Sequence, residues 1–288
     1  MHELDGKQRR LRRLFDQDDR ISILAVDHTE SLRAAIAPDF PNDDDALTAA
    51  KLQLIDVLHE TVGGVLLDPF LGAMPALAQD LIPSDCGLMI SVEGLDYNDL
   101  HAPPELLEGW TPEGALRAGA DALKVLVYHR PDAHDASDRE QFVRDLAATC
   151  DGLQLPLLVE PLPYPLAADN GSPFDGRLLV ESAARMRDAG ADLLKVPFPP
   201  GDDVVAETLC VALTVALEDT PWVLLSQGVD TATYLRQLEV ASRSGAAGFA
   251  AGRSIWGDLL GSSPAETAEI GGRRLSACRQ AFATTVSG

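Results

Sequence analysis

Short apolar runs of five to seven residues recur at fairly even spacing along the chain. They lie at 21–27 (ISILAVD), 64–68 (GVLLD), 87–93 (GLMISVE), 122–128 (ALKVLVY), 155–160 (LPLLVE), 192–197 (DLLKVP), 222–226 (WVLLS) and 247–251 (AGFAA). Most are nearly continuous in hydrophobicity, the pattern of parallel strands covered on both faces. Between them, residues 44–59, 138–150, 179–189, 204–217 and 231–244 carry helical periodicity. Ser137-Asp138-Arg139-Glu140 and Asp230-Thr231 read as helix starts, while Gly119 and Gly190 stand where left-handed C-caps are expected. Eight strand–helix alternations in a chain of this length predict a single-domain (β/α)8 TIM barrel spanning residues 1–288. A doubly wound open sheet is the runner-up, but no Gly-x-Gly-x-x-Gly follows the first strand. The stretch 162–175 (LPYPLAADNGSPFD) reads as an excursion above one rim and a candidate lid.

The polar residues at or near the strand ends form a biased set: Asp27, Asp68, Glu93, Lys124, Glu160, Lys195, Ser226 and Arg253. In a (β/α)8 barrel the C-terminal rim is the active-site face, so position alone makes them candidates. Two nearly identical heptapeptides, 119–125 (GADALKV) and 190–196 (GADLLKV), each place a lysine inside an apolar strand. An ammonium there must be paired or give up its proton. Two such lysines with Glu160 on the intervening strand suit imine chemistry: one amine attacks a ketone, and the carboxylate moves protons. The residues alone do not choose between Lys124 and Lys195. Independently, Ser226-Gln227-Gly228 and Ala251-Gly252-Arg253 end the seventh and eighth strands. Barrels of this kind often bind a phosphate there, with backbone N–H groups, a short helix N-terminus and an arginine fork.

Composition bounds this picture. Apolar residues make up 46% of the 288, enough for a full core, and the formal charge is −22. That charge argues against nucleic acid or an anionic membrane surface as partner. No run of 18 uncharged apolar residues exists to span a bilayer. The cluster Arg9, Arg10, Arg12 and Arg13 is expected on a solvated helix face, with Leu11 and Phe15 packed inward. Four scattered cysteines and a charged first twenty residues indicate reduced thiols, no secretory signal and a cytoplasmic protein. The histidines lack zinc spacing, so neither metal nor cofactor is expected. A Mg²⁺ site on Asp68 and Glu93, hence a Mg²⁺-dependent lyase, is one alternative. A non-catalytic sugar-phosphate-binding regulator is another.

The segments LAVDHTES, ADALKVLVYHRPD, LLVEP, GADLLKVPFP, PWVLLSQGVD and GAAGFAAGRSIWGDLLG span nearly the whole chain in order. Through them the chain resembles the class I ketose-phosphate aldolases that group tagatose-1,6-bisphosphate aldolase with sulfofructose-1-phosphate aldolase. Its length and the GFAAGRSIW segment look closer to the sulfofructose-phosphate branch. The resemblance implies cleavage of a ketose 1-phosphate to dihydroxyacetone phosphate and a three-carbon aldehyde. The substrate would be sulfofructose 1-phosphate or tagatose/fructose 1,6-bisphosphate. It also implies a Schiff base on Lys195, Glu160 as general acid/base, and Lys124 as the lysine that tunes the site. Asp27 would bind hydroxyls beside His28, and Ser226, Gln227, Gly228, Gly252 and Arg253 would surround the 1-phosphate. Barrel aldolases commonly assemble, so a homo-oligomer fits the resemblance. The chain departs from the family where Pro197 replaces a glutamate, where Gln227 replaces a small residue, and where His28 replaces a glutamine. It also has no Lys or Arg between Glu160 and Arg177. The expectation is a small cationic pocket of Lys124, Lys195 and Arg253 inside an acidic shell.

Overall fold

The computed structural model describes residues 6–36, 43–95, 99–166 and 175–283. Each predicted apolar run forms a strand: β1 (Ile21–Val26), β2 (Gly64–Leu67), β3 (Gly87–Ser91), β4 (Ala122–Tyr128), β5 (Leu157–Leu162), β6 (Leu193–Val196), β7 (Trp222–Leu225) and β8 (Gly248–Ala251). All pair in parallel, in chain order, and β8 returns to β1 to close the barrel. Two-residue alternation sends one set of side chains inward, among them Ile23, Ala25, Met89, Ala122, Leu158, Leu193 and Val223. The other set, including Leu24, Val65, Ile90, Val125 and Leu224, packs under the helices.

The helices are α1 (Gly6–Leu11), α2 (Glu30–Ile36), α3 (Asp44–Leu58), α4 (Met74–Ala78), α5 (Pro112–Arg117), α6 (Ala136–Leu153), α7 (Gly176–Asp188), α8 (Asp203–Leu217), α9 (Thr231–Arg243), α10 (Arg253–Trp256) and α11 (Pro264–Ala283). The Asp230 start signal is realised, with its carboxylate accepting from Thr233 N at 2.9 Å. The Ser137 signal is not. α6 begins at Ala136, so Ser137 lies in its first turn, and the preceding Asp135 accepts from Arg139 instead of capping. Gly119 and Gly190 take φ of 96° and 103°, as their C-cap positions require.

The N-terminal segment closes the bottom of the barrel. Leu14 is fully buried in the interior cluster, with Leu11 and Phe15 packed beside it. The arginine cluster is less solvated than expected, because Arg13 pairs with Asp121 at 2.7 Å and Arg10 donates to Ala120 O. The four cysteines are buried and unpaired. Among the described residues no helix is long and apolar enough to cross a membrane. Most of the candidate lid, residues 167–174, lies outside the described residues.

Candidate active site

The inward period that fills the barrel with Ala122, Leu158 and Leu193 places Lys124, Glu160 and Lys195 one layer higher. β5 runs to Leu162, two residues past its expected end, so Glu160 sits inside the strand. Pro161 is tolerated there because β5 still pairs with β4 at that level, while its pairing with β6 stops at Val159. Lys195 Nζ donates to Glu160 Oε2 at 2.9 Å, and Lys124 Nζ lies 3.2 Å from the same oxygen. Lys124 also donates to Asp27 Oδ2 at 3.1 Å and forms a short ion pair with Glu93. Both lysines are buried, at 2% and 5% exposure, so these carboxylates replace the water each ammonium would otherwise need.

The electrostatics follow from that crowding. Burial pushes the Asp27 carboxyl up, but Lys124, Lys195 and His28 hold it well below the usual range. Burial works the same way on Glu160, and Lys195 and Lys124 together keep it low, so it rests as a carboxylate. Burial drives His28 down to about 4, against Asp27 and with help from Lys195 and Arg253. The imidazole is therefore neutral at neutral pH. Its Nδ1 sits 3.6 Å from Asp27 Oδ1, and neither atom has a hydrogen-bond partner among the described residues. The His28 ring also meets Trp256 edge-on, and Trp256 Nε1 donates to Ala25 O.

At the far wall the β7 and β8 ends are tied together. Gly252 N donates to Ser226 Oγ at 3.2 Å, and Ser254 Oγ donates to Ser226 O. Gly252 N–H is thus already used inside the protein. Gln227 and Gly228 both adopt positive φ, 50° and 73°, a turn whose two N–H groups have no acceptor among the described residues. For a residue with a Cβ, Gln227 is in a sparsely populated region, a strain of the kind found at binding sites. A Cβ on Gly252 would lie 2.8 Å from His28 Cε1 and 3.0 Å from Ala25 O, so β8 can approach β1 only with glycine there. The Arg253 guanidinium is exposed beside Gly228 and forms no ion pair among the described residues.

All ten residues singled out from sequence (Asp27, His28, Lys124, Glu160, Lys195, Ser226, Gln227, Gly228, Gly252 and Arg253) line one cavity of about 400 Å³. The expected cationic pocket is corrected, however: Asp27, Glu30 and Glu160 line it alongside Lys124, Lys195 and Arg253. Sequence reasoning missed Ala25, Leu225, Ala250, Thr29, Glu30, Leu126, Tyr128 and Leu162, which complete the wall. For the last three the two-residue period through Lys124 and Glu160 was the available signal. A second cavity of about 400 Å³ adjoins the first and shares Asp27, Thr29 and Glu30. Asp68 and Glu93 line it, and each already carries an ammonium, Lys51 for Asp68 and Lys124 for Glu93. The Mg²⁺ reading thus finds its two carboxylates neutralised from within. Among the described residues no group of three His, Cys, Asp or Glu side chains is arranged to hold a metal ion. His129 is fully buried away from the cavity, between Ser182 and Glu140.

Residues 21–258 match the family described as DeoC/LacD family aldolase. The chain is 29% identical over 279 residues to tagatose 1,6-diphosphate aldolase 2 of Enterococcus faecalis, covering 87% of this chain and 83% of that one. To the tagatose 1,6-diphosphate aldolase of Lactococcus lactis subsp. lactis it is 26% identical over 280 residues, covering 88% and 85%. Among solved structures, the fructose-bisphosphate aldolase from Slackia heliotrinireducens shares the fold with a TM-score of 0.70 at 16% identity, over 98% and 91% of the two chains. An archaeal fructose-1,6-bisphosphate aldolase, its catalytic Lys covalently bound to the carbinolamine intermediate, shares it with a TM-score of 0.67 at 16% identity, over 96% and 99%.

Proposed function

The chain belongs to the DeoC/LacD aldolase family, and we propose that it is a class I aldolase working through a Schiff base on Lys195. On this reading it cleaves a ketose 1-phosphate to dihydroxyacetone phosphate and a three-carbon aldehyde. The observation that carries it is one shared oxygen: Glu160 Oε2 lies 2.9 Å from Lys195 Nζ and 3.2 Å from Lys124 Nζ, inside the cavity.

The chemistry follows from that arrangement. Lys195, as the free amine, attacks the C2 carbonyl, and the carbinolamine forms with net transfer of one proton from nitrogen to oxygen. Glu160, a carboxylate at rest and within hydrogen-bond reach of the nitrogen, takes the ammonium proton that must first leave. It returns that proton to the C2 hydroxyl, which departs as water and leaves the iminium. A carboxylate, Glu160 itself or a group relayed to it, then removes the C4 hydroxyl proton. The C3–C4 bond breaks, its electron pair moves into the enamine, and the aldehyde leaves. Protonation at C3 and hydrolysis of the iminium release dihydroxyacetone phosphate and restore Lys195. Lys124, bound to Asp27, Glu93 and Glu160, remains the fixed cation near the substrate oxygens. Asp27, which lines the cavity beside Lys124, is the carboxylate offered to a substrate hydroxyl. The Ser226 hydroxyl, the Gln227 and Gly228 N–H groups and Arg253 form the phosphate end, with Gly252 providing the close approach of β8 rather than a donor.

The two curated relatives support a ketose bisphosphate more than sulfofructose 1-phosphate, since both are tagatose 1,6-diphosphate aldolases by name. The test is borohydride reduction in the presence of dihydroxyacetone phosphate and chelator. A mass adduct on Lys195 is expected; its absence, or activity lost with EDTA, overturns the reading.

A further inference from the structure

Lys124 is held from two directions. Asp27 and Glu160, at 3.1 and 3.2 Å, line the reaction cavity with it. Its third carboxylate among the described residues, Glu93, lines the adjoining cavity, where Asp68 is already held by Lys51. The two directions differ in what the reaction asks of them. Glu160 takes and returns protons, and Asp27 is offered to a substrate hydroxyl, so both change partners during turnover. Glu93 gives and takes nothing in that sequence.

The backbone fixes Glu93 where it stands. β3 ends at Ser91, which lies opposite Lys124 in the β3–β4 pairing, and Val92 N donates to Lys124 O at 3.0 Å. The inward period through Met89 and Ser91 carries on past the strand end and brings Glu93 to the Lys124 ammonium. Beyond the strand, Leu107 N donates to Val92 O at 2.8 Å and Gly94 N to Glu105 O at 2.9 Å. These bonds clamp Glu93 opposite Leu106 in an antiparallel bridge. A Cβ on Gly94 would lie 2.8 Å from Leu106 O, so the clamp closes this tightly only with glycine there. The Glu93 side chain is 2% exposed. A carboxylate buried so deeply is stable only against a cation, and Lys124 supplies it.

From this geometry, and resting on the class I reading above, we infer that Glu93 is a positioning residue of the reaction. It holds Lys124 from the adjoining cavity and takes up part of its charge, so that Glu160 can receive the proton of Lys195. Without Glu93, Lys124 falls wholly to Asp27 and Glu160. An ammonium that is less shared holds a carboxylate more strongly, so Glu160 becomes a weaker base and Asp27 less available to a hydroxyl. Glu93 itself touches no reacting atom and acts through Lys124.

The test follows deuterium uptake at C3 of dihydroxyacetone phosphate in D₂O, which needs no aldehyde. Each molecule exchanged forms the iminium, loses a C3 proton to give the enamine, takes back a deuteron and is hydrolysed. It therefore passes the Glu160 step on the way in and on the way out. Glu93→Gln keeps the shape and removes the charge, whereas Glu93→Asp keeps the charge and shortens the reach. Glu93→Gln should lower kcat for exchange by about tenfold or more, a part of the roughly 10²–10⁴-fold that a positioned base supplies. KM should stay within about twofold, because the lost interaction is not one with the substrate. Glu93→Asp should lose less. A parent-like kcat in Glu93→Gln, a larger loss in Glu93→Asp than in Glu93→Gln, or a change confined to KM overturns the inference. If Glu93→Gln does not fold, Glu93→Ala decides. Formate entering by the adjoining cavity should raise its kcat several-fold where chloride does not, and equal rates in the two salts overturn the inference. Borohydride trapping on the parent separates the two levels. An adduct on Lys195 with exchange indifferent to Glu93 sinks only the positioning role; no adduct sinks the class I reading and this inference with it.

Discussion

The heptapeptides 119–125 and 190–196 differ at one position, yet the protein uses their lysines differently. Each strand carries its lysine inward at the same height above an apolar floor. Lys124 is met there by Asp27 after β1, Glu93 after β3 and Glu160 on β5. Lys195, two strands farther round, forms its ion pair with Glu160, with no second carboxylate within 4 Å among the described residues. On the proposed reading, three carboxylates make Lys124 the counter-ion of the site, and Glu160 is the one partner to which Lys195 hands its proton. Local sequence gives both lysines their burial; the neighbouring strands give them their chemistry.

The sharpest way to break that comparison is to remove each lysine in turn. Lys195→Met should abolish borohydride trapping and lower turnover by about 10⁴-fold or more, the cost of losing a covalent nucleophile. Lys124→Met should keep the Lys195 adduct but take from Asp27 and Glu93 the buried cation they share, while Glu160 keeps Lys195. Breaking a buried ion pair from one side costs about 3–5 kcal/mol, so a large fall in the urea midpoint is expected. If Lys124→Met is as stable as the parent, or if trapping moves to Lys124 in Lys195→Met, the two roles are misassigned.

Why sequence stopped short of this distinction is plain from where the carboxylates come from. The apolar runs made the eight strands legible, and two-residue alternation was enough to aim Lys124, Glu160 and Lys195 at one space. Of the eight residues the strand-end rule gathered, six line the first cavity, and Asp68 and Glu93 line the one adjoining it. Nothing local, however, says that Asp27 and Glu93 converge on β4 rather than β6, because that depends on the order and stagger of closure. The same blindness hid the Lys51–Asp68 pair and the net charge of the cavity. Both arise from residues distant in sequence that burial forces to find partners. Ser137 failed for a smaller reason: an Asp two residues earlier was already committed to Arg139.

His28 offers a gentler test, since it stands on the Asp27 side of the Lys124 hub. Its folded pKa of about 4 lies below the ordinary value of 6.5, held there by burial, against Asp27 and with Lys195 and Arg253. Below pH 6.5 the unfolded chain therefore binds a proton that the folded chain refuses until about pH 4. Stability falls through that window, by at most about 1.4 kcal/mol per pH unit for one proton. Asp27 and Glu160 have depressed folded values too. Their contributions are complete above the ordinary carboxylate range and are lost only below it, so they do not mask the His28 window. His28→Gln, which cannot titrate, should make the urea midpoint fall less steeply between about pH 4.5 and 6.5, the slope that remains belonging to His129, whose pKa burial also lowers, and should leave the acid limb intact. An unchanged slope in that window would place the titration elsewhere.

The smallest effects are expected where the two heptapeptides agree. At their lower ends Asp121 N donates to Leu88 O while its carboxylate accepts from Leu88 N at 3.0 Å. Asp192 does the same with Leu157, accepting at 2.8 Å. Each aspartate also takes a cation from the N-terminal segment, Arg13 on Asp121 and Lys7 on Asp192. The repeated Gly-Ala-Asp is thus a device for starting a strand in register and seating the segment that closes the barrel floor. Asp121→Ala and Asp192→Ala each leave one strand N–H without its acceptor, a loss of about 1–3 kcal/mol. Both losses should show in urea titration, with Lys195 trapping unchanged. A catalytic defect in either variant would mean that the strand floors set the position of the lysines above them, and that the division of each heptapeptide into a shared lower half and a divergent upper half is wrong.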